Sequence, residues 1–257
     1  MRRLLPLFAL VPLALVSTNS PAAEKEARVY EMRVYYAPEG KLEALNARFK
    51  NHTLKLFEKH GLTNVGYFTP LDNKENKLVY FISFPSKEAR NKSFKEFGAD
   101  PEWQKAFKES EKDGKLTTKI ESRFLTETEY SPVLKIGKSK EDRVFELRTY
   151  TATKGNLGNL NDRFKNHTIK LFEKHGMTNV VYWNVLKGEK GADETLVYLL
   201  AHKSKDAAGK SFDAFRKDPD WLAAREASEK KGGGSLTEPK GGVVSEFLVP
   251  TDYSPLK

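Results

Sequence analysis

The polar and apolar positions alternate sharply over residues 28–36, where Tyr30, Met32, Val34 and Tyr36 share one face and Glu31, Arg33 and Tyr35 the other. β-Branched and aromatic residues bounded by Pro38 and Gly40 predict a strand there. The period then lengthens. Over 39–60, Leu42, Leu45, Phe49 and Leu56 recur at helical spacing, and a rotation of about 100° per residue brings Asn46, His52, Thr53 and His60 onto the same stripe. Gly61 ends that helix as a left-handed cap. Strands follow at 65–69 and 78–84, joined by the turn-rich residues 72–76. Ser86 is placed to cap a helix with Glu88 in its first turn, and Asp100-Pro101 to start a second helical segment. Trp103 and Phe107, four residues apart, are expected to bury together, and 116–125 is the closing strand.

The pattern then runs a second time. Residues 51–65 return at 166–180 with only Leu54/Ile169 and Leu62/Met177 exchanged. Arg48-Phe49-Lys50 matches Arg163-Phe164-Lys165, Asp100-Pro-Glu-Trp103 matches Asp218-Pro-Asp-Trp221, and Tyr130-Ser-Pro132 matches Tyr253-Ser-Pro255. The second copy has Phe145 and Leu147 opposite Glu146, Arg148 and Tyr150. Its helix carries Leu157, Leu160, Phe164 and Leu171 beside Asn161, His167, Thr168 and His175, and its inner strands are expected at 180–184 and 196–202. This is a tandem duplication, each copy β-α-β-β-α-β in the ferredoxin-like order. The division expected is 24–132 for the first repeat, 133–142 for a Lys- and Gly-rich linker, and 143–257 for the second.

A four-stranded sheet covered by helices on one side leaves its other face open. With Glu31/Arg33/Tyr35 on that face, the expected solution is to pack it against the twin sheet. The fold class is then α+β: two tandem ferredoxin-like repeats packed sheet to sheet as an intramolecular barrel, a pseudo-dimer that leaves further oligomerisation open.

The order of a Tyr-Glu-x-Arg strand (30–33), a helix holding Asn-His-Thr (51–53), a glycine and an Asp-Pro-x-Trp helix (100–103) resembles the NIPSNAP family, over nearly the whole mature chain and twice. The resemblance implies the dimeric α+β barrel superfamily, which includes cofactor-free oxygenases and cyclases with a pocket between helix and sheet. It implies no defined activity.

The N-terminus changes the picture of location. Arg2 and Arg3, an apolar run over 4–16 and the small residues 20–23 have the layout of a secretory signal. Residues 1–23 are therefore expected to be cleaved, after Ala22 or Ala23, and the protein secreted or periplasmic, an uncleaved anchor being the alternative. The run is too short and too broken by Pro6 and Pro12 for a favourable membrane span. The chain has no cysteine, which excludes disulfides, thiolate nucleophiles and thiolate metal sites. A net charge of +9 is spread among acids, unlike the basic stripe of a nucleic-acid binder.

Two groups carry candidate chemistry. His52 and His167 belong to no helix end and could act as general acid–base groups; Asn46, Thr53, Asn161 and Thr168 beside them are candidate ligand contacts. His60 and His175 precede the cap glycines and suit the helix dipole. The second group is Glu31/Arg33/Tyr35 with Glu146/Arg148/Tyr150, either holding a polar ligand in the barrel or forming ion pairs that fix its packing. No metal is expected, since the paired histidines lie two helical turns apart without a third ligand, and no cofactor motif is present. His202, in place of Phe84, is expected at a strand-end surface. Whether the protein is an enzyme stays open. It is expected to be a module binding a small apolar or aromatic molecule or a protein partner, or else a cofactor-independent oxygenase or cyclase using His52 and His167.

Overall fold

A computed structural model describes residues 28–137, 139 and 142–257, so the expected leader over 1–23 lies outside the described residues. The first repeat contains β1 (Val29–Tyr36), β2 (Thr63–Pro70), β3 (Lys77–Phe84) and β4 (Lys119–Glu127), with helices α1 (Leu42–Arg48), α2 (Leu54–Lys59), α3 (Lys87–Ala99) and α4 (Pro101–Ser110). The second repeats them as β5 (Val144–Thr151), β6 (Thr178–Val185), β7 (Thr195–His202), β8 (Val243–Pro250), α5 (Leu157–Arg163), α6 (Ile169–Lys174), α7 (Lys205–Arg216) and α8 (Pro219–Gly232). The helix starts follow their sequence signals: Ser86 accepts from the Ala89 N–H, Asp100 from the Glu102 N–H, and Gly61 has φ +79°.

Each sheet has its own first strand at the centre, β4-β1-β3-β2 and β8-β5-β7-β6, and all pairs are antiparallel. The outer strands then pair between repeats. β2 joins β8 through Phe68↔Pro250, Thr69↔Val249 and Pro70↔Leu248, and β4 joins β6 through Leu125↔Val185, Thr126↔Asn184 and Glu127↔Trp183. The result is one closed eight-stranded barrel made by a single chain, so the four edges that two separate sheets would expose are all used.

The barrel interior reverses one expectation. It is Tyr30 with Met32 and Val34, not Glu31/Arg33/Tyr35, that faces the twin sheet, among Phe68, Phe81, Leu125, Phe145, Leu147 and Trp183. Phe81 stacks on Trp183 with centroids 5.1 Å apart, and Phe68 meets Phe145 at 5.1 Å, both contacts crossing between repeats. The physical reason is desolvation. A closed barrel has no room for the water or the extra donors that buried ions need, whereas the helix side can supply them.

The expected long helix is interrupted in both repeats at the same place. Between α1 and α2, Phe49–Thr53 forms a π-helical turn in which the Leu54 N–H bonds the Phe49 carbonyl; Phe164–Thr168 repeats it between α5 and α6. A π-turn holds one residue more than an α-turn, so the phase of everything beyond it slips. Thr53, Leu56 and Phe57 take the core, and His52 turns out to solvent. Each helix layer then builds its own aromatic core: Phe49, Phe57, Tyr67, Tyr80 and Phe97 in the first, Phe164, Phe172, Tyr182, Tyr198 and Phe215 in the second. Phe107 is 41% exposed, so it pairs with Trp103 (5.6 Å) at the rim rather than burying with it.

Candidate functional site

The polar strand face lies beneath the helices. Arg33 donates from Nε to the Tyr80 hydroxyl (2.8 Å), from Nη1 to Glu31, and from Nη2 to the Tyr35 hydroxyl (3.2 Å). Arg90, arriving from α3, grips Glu31 with two bonds of 2.7 and 2.8 Å, and Ser122 adds a third donor at 2.6 Å. Burial pushes the Glu31 carboxyl up, but the Arg90 hydrogen bonds and the Arg33 charge outweigh it and hold the group below its ordinary range.

The second repeat builds the same network with one exchange. Arg148 donates to Tyr198 (2.9 Å), Glu146 (2.5 Å) and Tyr150 (3.0 Å), and Ser245 donates to Glu146. Ala208 stands where Arg90 would be, and the missing donor comes from His202, whose Nε2 is 3.1 Å from Glu146. His202 is 4% exposed, not at a surface; its position one strand away from Glu146 explains why histidine replaces Phe84. Glu146 too is held below the usual carboxylate range, burial being outweighed by the His202 hydrogen bond and the Arg148 charge.

Above this network each repeat has a cavity between helices and sheet. In the first it is about 100 Å³, lined by Tyr35, Phe49, Phe57, Trp103, Phe107 and Ile120 among others. In the second it is about 270 Å³. Its floor is Arg148 and Tyr150, its walls Phe164, Phe172, Phe212, Phe215 and Trp221, and its rim includes Arg216, Arg225, Glu229 and Val243. Arg163, the last residue of α5, is 7% exposed and lines it with its guanidinium 5.2 Å from the Trp221 ring centre.

The predicted site residues divide sharply. Arg33, Tyr35, Arg148, Tyr150, Thr53 and Thr168 do meet at or beside these cavities; Thr53 and Thr168 line them while donating to the Arg48 and Arg163 carbonyls at 3.2 and 3.1 Å. Glu31 and Glu146 lie one layer below as counter-charges. His52 and His167 do not meet them. Both are exposed on the outer side of the helix; His167 borders open surface grooves with Lys170, Ala224, Ala227 and Lys231, so the expectation that they reach a helix–sheet cavity is corrected by the π-turn. Asn46 and Asn161 are spoken for as well, accepting from Tyr253 and Tyr130 at 2.6 Å each. His60 and His175 pair with Asp100 and Asp218 at 2.7 Å, tying the end of α2 or α6 to the cap of the next helix pair. Sequence reasoning missed Arg48 and Arg163; the available signal was an arginine directly before the core Phe49 and Phe164 in both copies. Among the described residues no cluster of His, Asp and Glu is placed to hold a metal ion, and no helix is long and apolar enough to cross a membrane.

Comparison with known proteins agrees with the repeat. The NIPSNAP family model matches residues 30–132 and again 145–255. The chain belongs to the NIPSNAP family. A NipSnap homolog of Dictyostelium discoideum is 28% identical over 208 residues, covering 80% of this chain and 83% of that protein. Among solved structures, an anthrone oxidase-like protein superposes with TM-score 0.57 at 15% identity, covering 89% of this NIPSNAP chain and 92% of its own. A Lactobacillus acidophilus protein provisionally named a monooxygenase gives 0.56 at 13% identity, covering 88% and 94%. At these identities the two structures share the barrel fold and nothing more specific is drawn from them.

Proposed function

We propose that this is an exported small-molecule binding module whose site is the helix–sheet cavity of the second repeat. The observation that carries it is the difference between two copies of one architecture. The first repeat closes its cavity to about 100 Å³ with Phe107 and Ile120, while the second keeps about 270 Å³ open behind Arg225 and Val243 at the same positions. Duplicated cores relax toward dense packing, because each unfilled volume costs stability. A void retained in one copy, walled by aromatic rings and floored by fixed hydroxyls and an arginine, has the composition of a ligand pocket. Export rests on the leader-like residues 1–23, and N-terminal sequencing of the secreted product tests it.

The alternative, a cofactor-independent oxygenase or cyclase acting through His52 and His167, fits the barrel fold but not the solvent exposure of those two side chains, since nothing there excludes water from a reacting group. Small molecules released by denaturing the purified protein, measured by mass spectrometry, test the binding reading. Val243→Trp, placed at the half-exposed rim, is expected to eliminate the bound compound while preserving the fold. Recovery of the same compound from both proteins would overturn the assignment.

A further inference from the structure

The buried arginines of the two cavities are equivalent in sequence but not in charge balance. In the first repeat, Arg48 Nη1 lies 3.0 Å from Glu111 and 3.3 Å from the Ser110 hydroxyl, and its guanidinium sits over Trp103 and Phe107 at 5.5 and 5.1 Å. The ion is neutralised and lies against two rings. In the second repeat the matching carboxylate, Glu229, is 3.9 Å from Arg163 Nη1 and instead bonds Arg225 Nε at 3.0 Å. Arg225 replaces Phe107, so a single exchange removes an aromatic plate and draws the counter-ion away. Arg163 keeps one hydroxyl, Ser228 at 3.4 Å, and its Nε has no partner at all. The Nε of Arg48 is unpartnered too, but there the Glu111 carboxylate is in contact.

A guanidinium that is 7% exposed and whose nearest carboxylate is drawn out to 3.9 Å is costly to hold in an apolar cavity. Burial, with the Arg225 charge beside it, lowers its proton affinity despite Tyr150 and Glu229, a direction opposite to that of Arg148, which Tyr198, Tyr150 and Glu146 surround. The rest of the cavity suits an anion. Arg216 and Arg225 stand at the rim, where the first repeat has Gly98 and Phe107, and each has a single local carboxylate, Asp213 or Glu229. The walls are rings. The volume exceeds the roughly 150 Å³ that accommodates a benzene-sized guest.

Resting on the binding reading above, we propose that the second-repeat cavity takes an organic carboxylate with an apolar body of one or two rings, its carboxylate seated on Arg163 and its rings against Phe164, Phe212 and Trp221. Binding supplies the close counter-charge that Arg225 has drawn out to 3.9 Å, and Arg216 and Arg225 attract the anion to the rim. The first repeat, with its arginine neutralised and only about 100 Å³ of cavity, takes none.

Calorimetry of the full chain with 2-naphthoate and its neutral isostere 2-naphthamide separates the inference from its premise. The acid is expected to bind about tenfold more tightly than the amide. Arg225→Gln, at an exposed position, frees Glu229 for Arg163 and is expected to remove that preference by weakening the acid alone, with the amide within about twofold of wild type. Arg163→Gln should do the same, its retained amide binding serving as the control for folding. Equal affinity of acid and amide, or an acid preference that survives Arg225→Gln, overturns the carboxylate assignment and leaves the cavity as a binding site. Binding of neither probe, or binding unaffected by Val243→Trp, overturns both.

Discussion

The Tyr253 hydroxyl donates to Asn46 Oδ1 at 2.6 Å, joining residues 207 positions apart in the chain. Its mirror is Tyr130 donating to Asn161, also at 2.6 Å. Each Tyr-Ser-Pro segment thus follows the last strand of one repeat and docks on the helix layer of the other, where the serines complete the clasp: Ser254 Oγ accepts from the Tyr67 N–H at 2.9 Å and Ser131 Oγ from the Tyr182 N–H at 3.0 Å. The two repeats hold each other at both ends of the barrel. Tyr253→Phe leaves the Asn46 acceptor unpaired, and a loss of about 1–2 kcal/mol is expected from urea unfolding. An unchanged midpoint would mean that the clasp is incidental to stability.

Phe164 sits at the start of the second π-turn and touches Tyr150, Phe172, Tyr182 and Tyr198 with centroids 5.2–6.2 Å away. Phe164→Ala, and Phe49→Ala in the equivalent core, should each cost about 3–5 kcal/mol of unfolding free energy, the range for deleting a buried ring. A loss under about 1 kcal/mol would show that the helix layer collapses onto the space.

The buried carboxylates make stability depend on pH with a definite sign. Glu31 and Glu146 have folded-state affinities for protons below the ordinary value of 4.5. Their contribution is therefore present above that unfolded value and is lost as pH falls through the lower folded one. Glu31→Gln, which leaves Arg33 and Arg90 buried against a neutral amide, should cost about 3–5 kcal/mol near neutrality. The gap between mutant and wild type should narrow in denaturant titrations near pH 3. A gap independent of pH would place the cost in packing instead.

The His202/Ala208 and Phe84/Arg90 pairs are alternative solutions to one problem, a second partner for a buried glutamate. His202→Phe alone should destabilise by about 1–3 kcal/mol, because Glu146 loses a hydrogen bond. Adding Ala208→Arg imports the first repeat's arrangement and should recover most of that loss. A double mutant no better than the single would show that α7 cannot deliver an arginine to Glu146, and a thermodynamic cycle reports the coupling directly.

His52→Gln and His167→Gln test the displaced histidines. Both are expected to alter stability by less than about 0.5 kcal/mol, as exposed positions do, and to leave cavity ligand occupancy unchanged. A change in occupancy at constant melting temperature would return them to the site.

Much of this was legible in the order of residues. The duplication is literal in 51–65 and 166–180, and strand and helix periods with Ser86, Asp100 and Gly61 as punctuation specify β-α-β-β-α-β twice. These are local signals: a period, a cap and a turn depend on neighbours in the chain, and the same composition that separates Glu31, Arg33 and Tyr35 from Tyr30, Met32 and Val34 is written in the alternation itself. Which face looks inward is not local. It was decided when the outer strands paired between repeats and enclosed a dry barrel, making the apolar face the one that could be sealed and sending the ions to where Arg90 or His202 could meet them. His52 followed the same logic, its direction set by an i→i+5 turn that an α-helical count cannot anticipate. The cavity is the most distant from sequence of all. Arg48 and Arg163 read identically along the chain, and only packing, with Phe107 over one and Arg225 drawing Glu229 from the other, makes the first a tightly paired ion at a small cavity and the second a loosely paired one facing a larger volume.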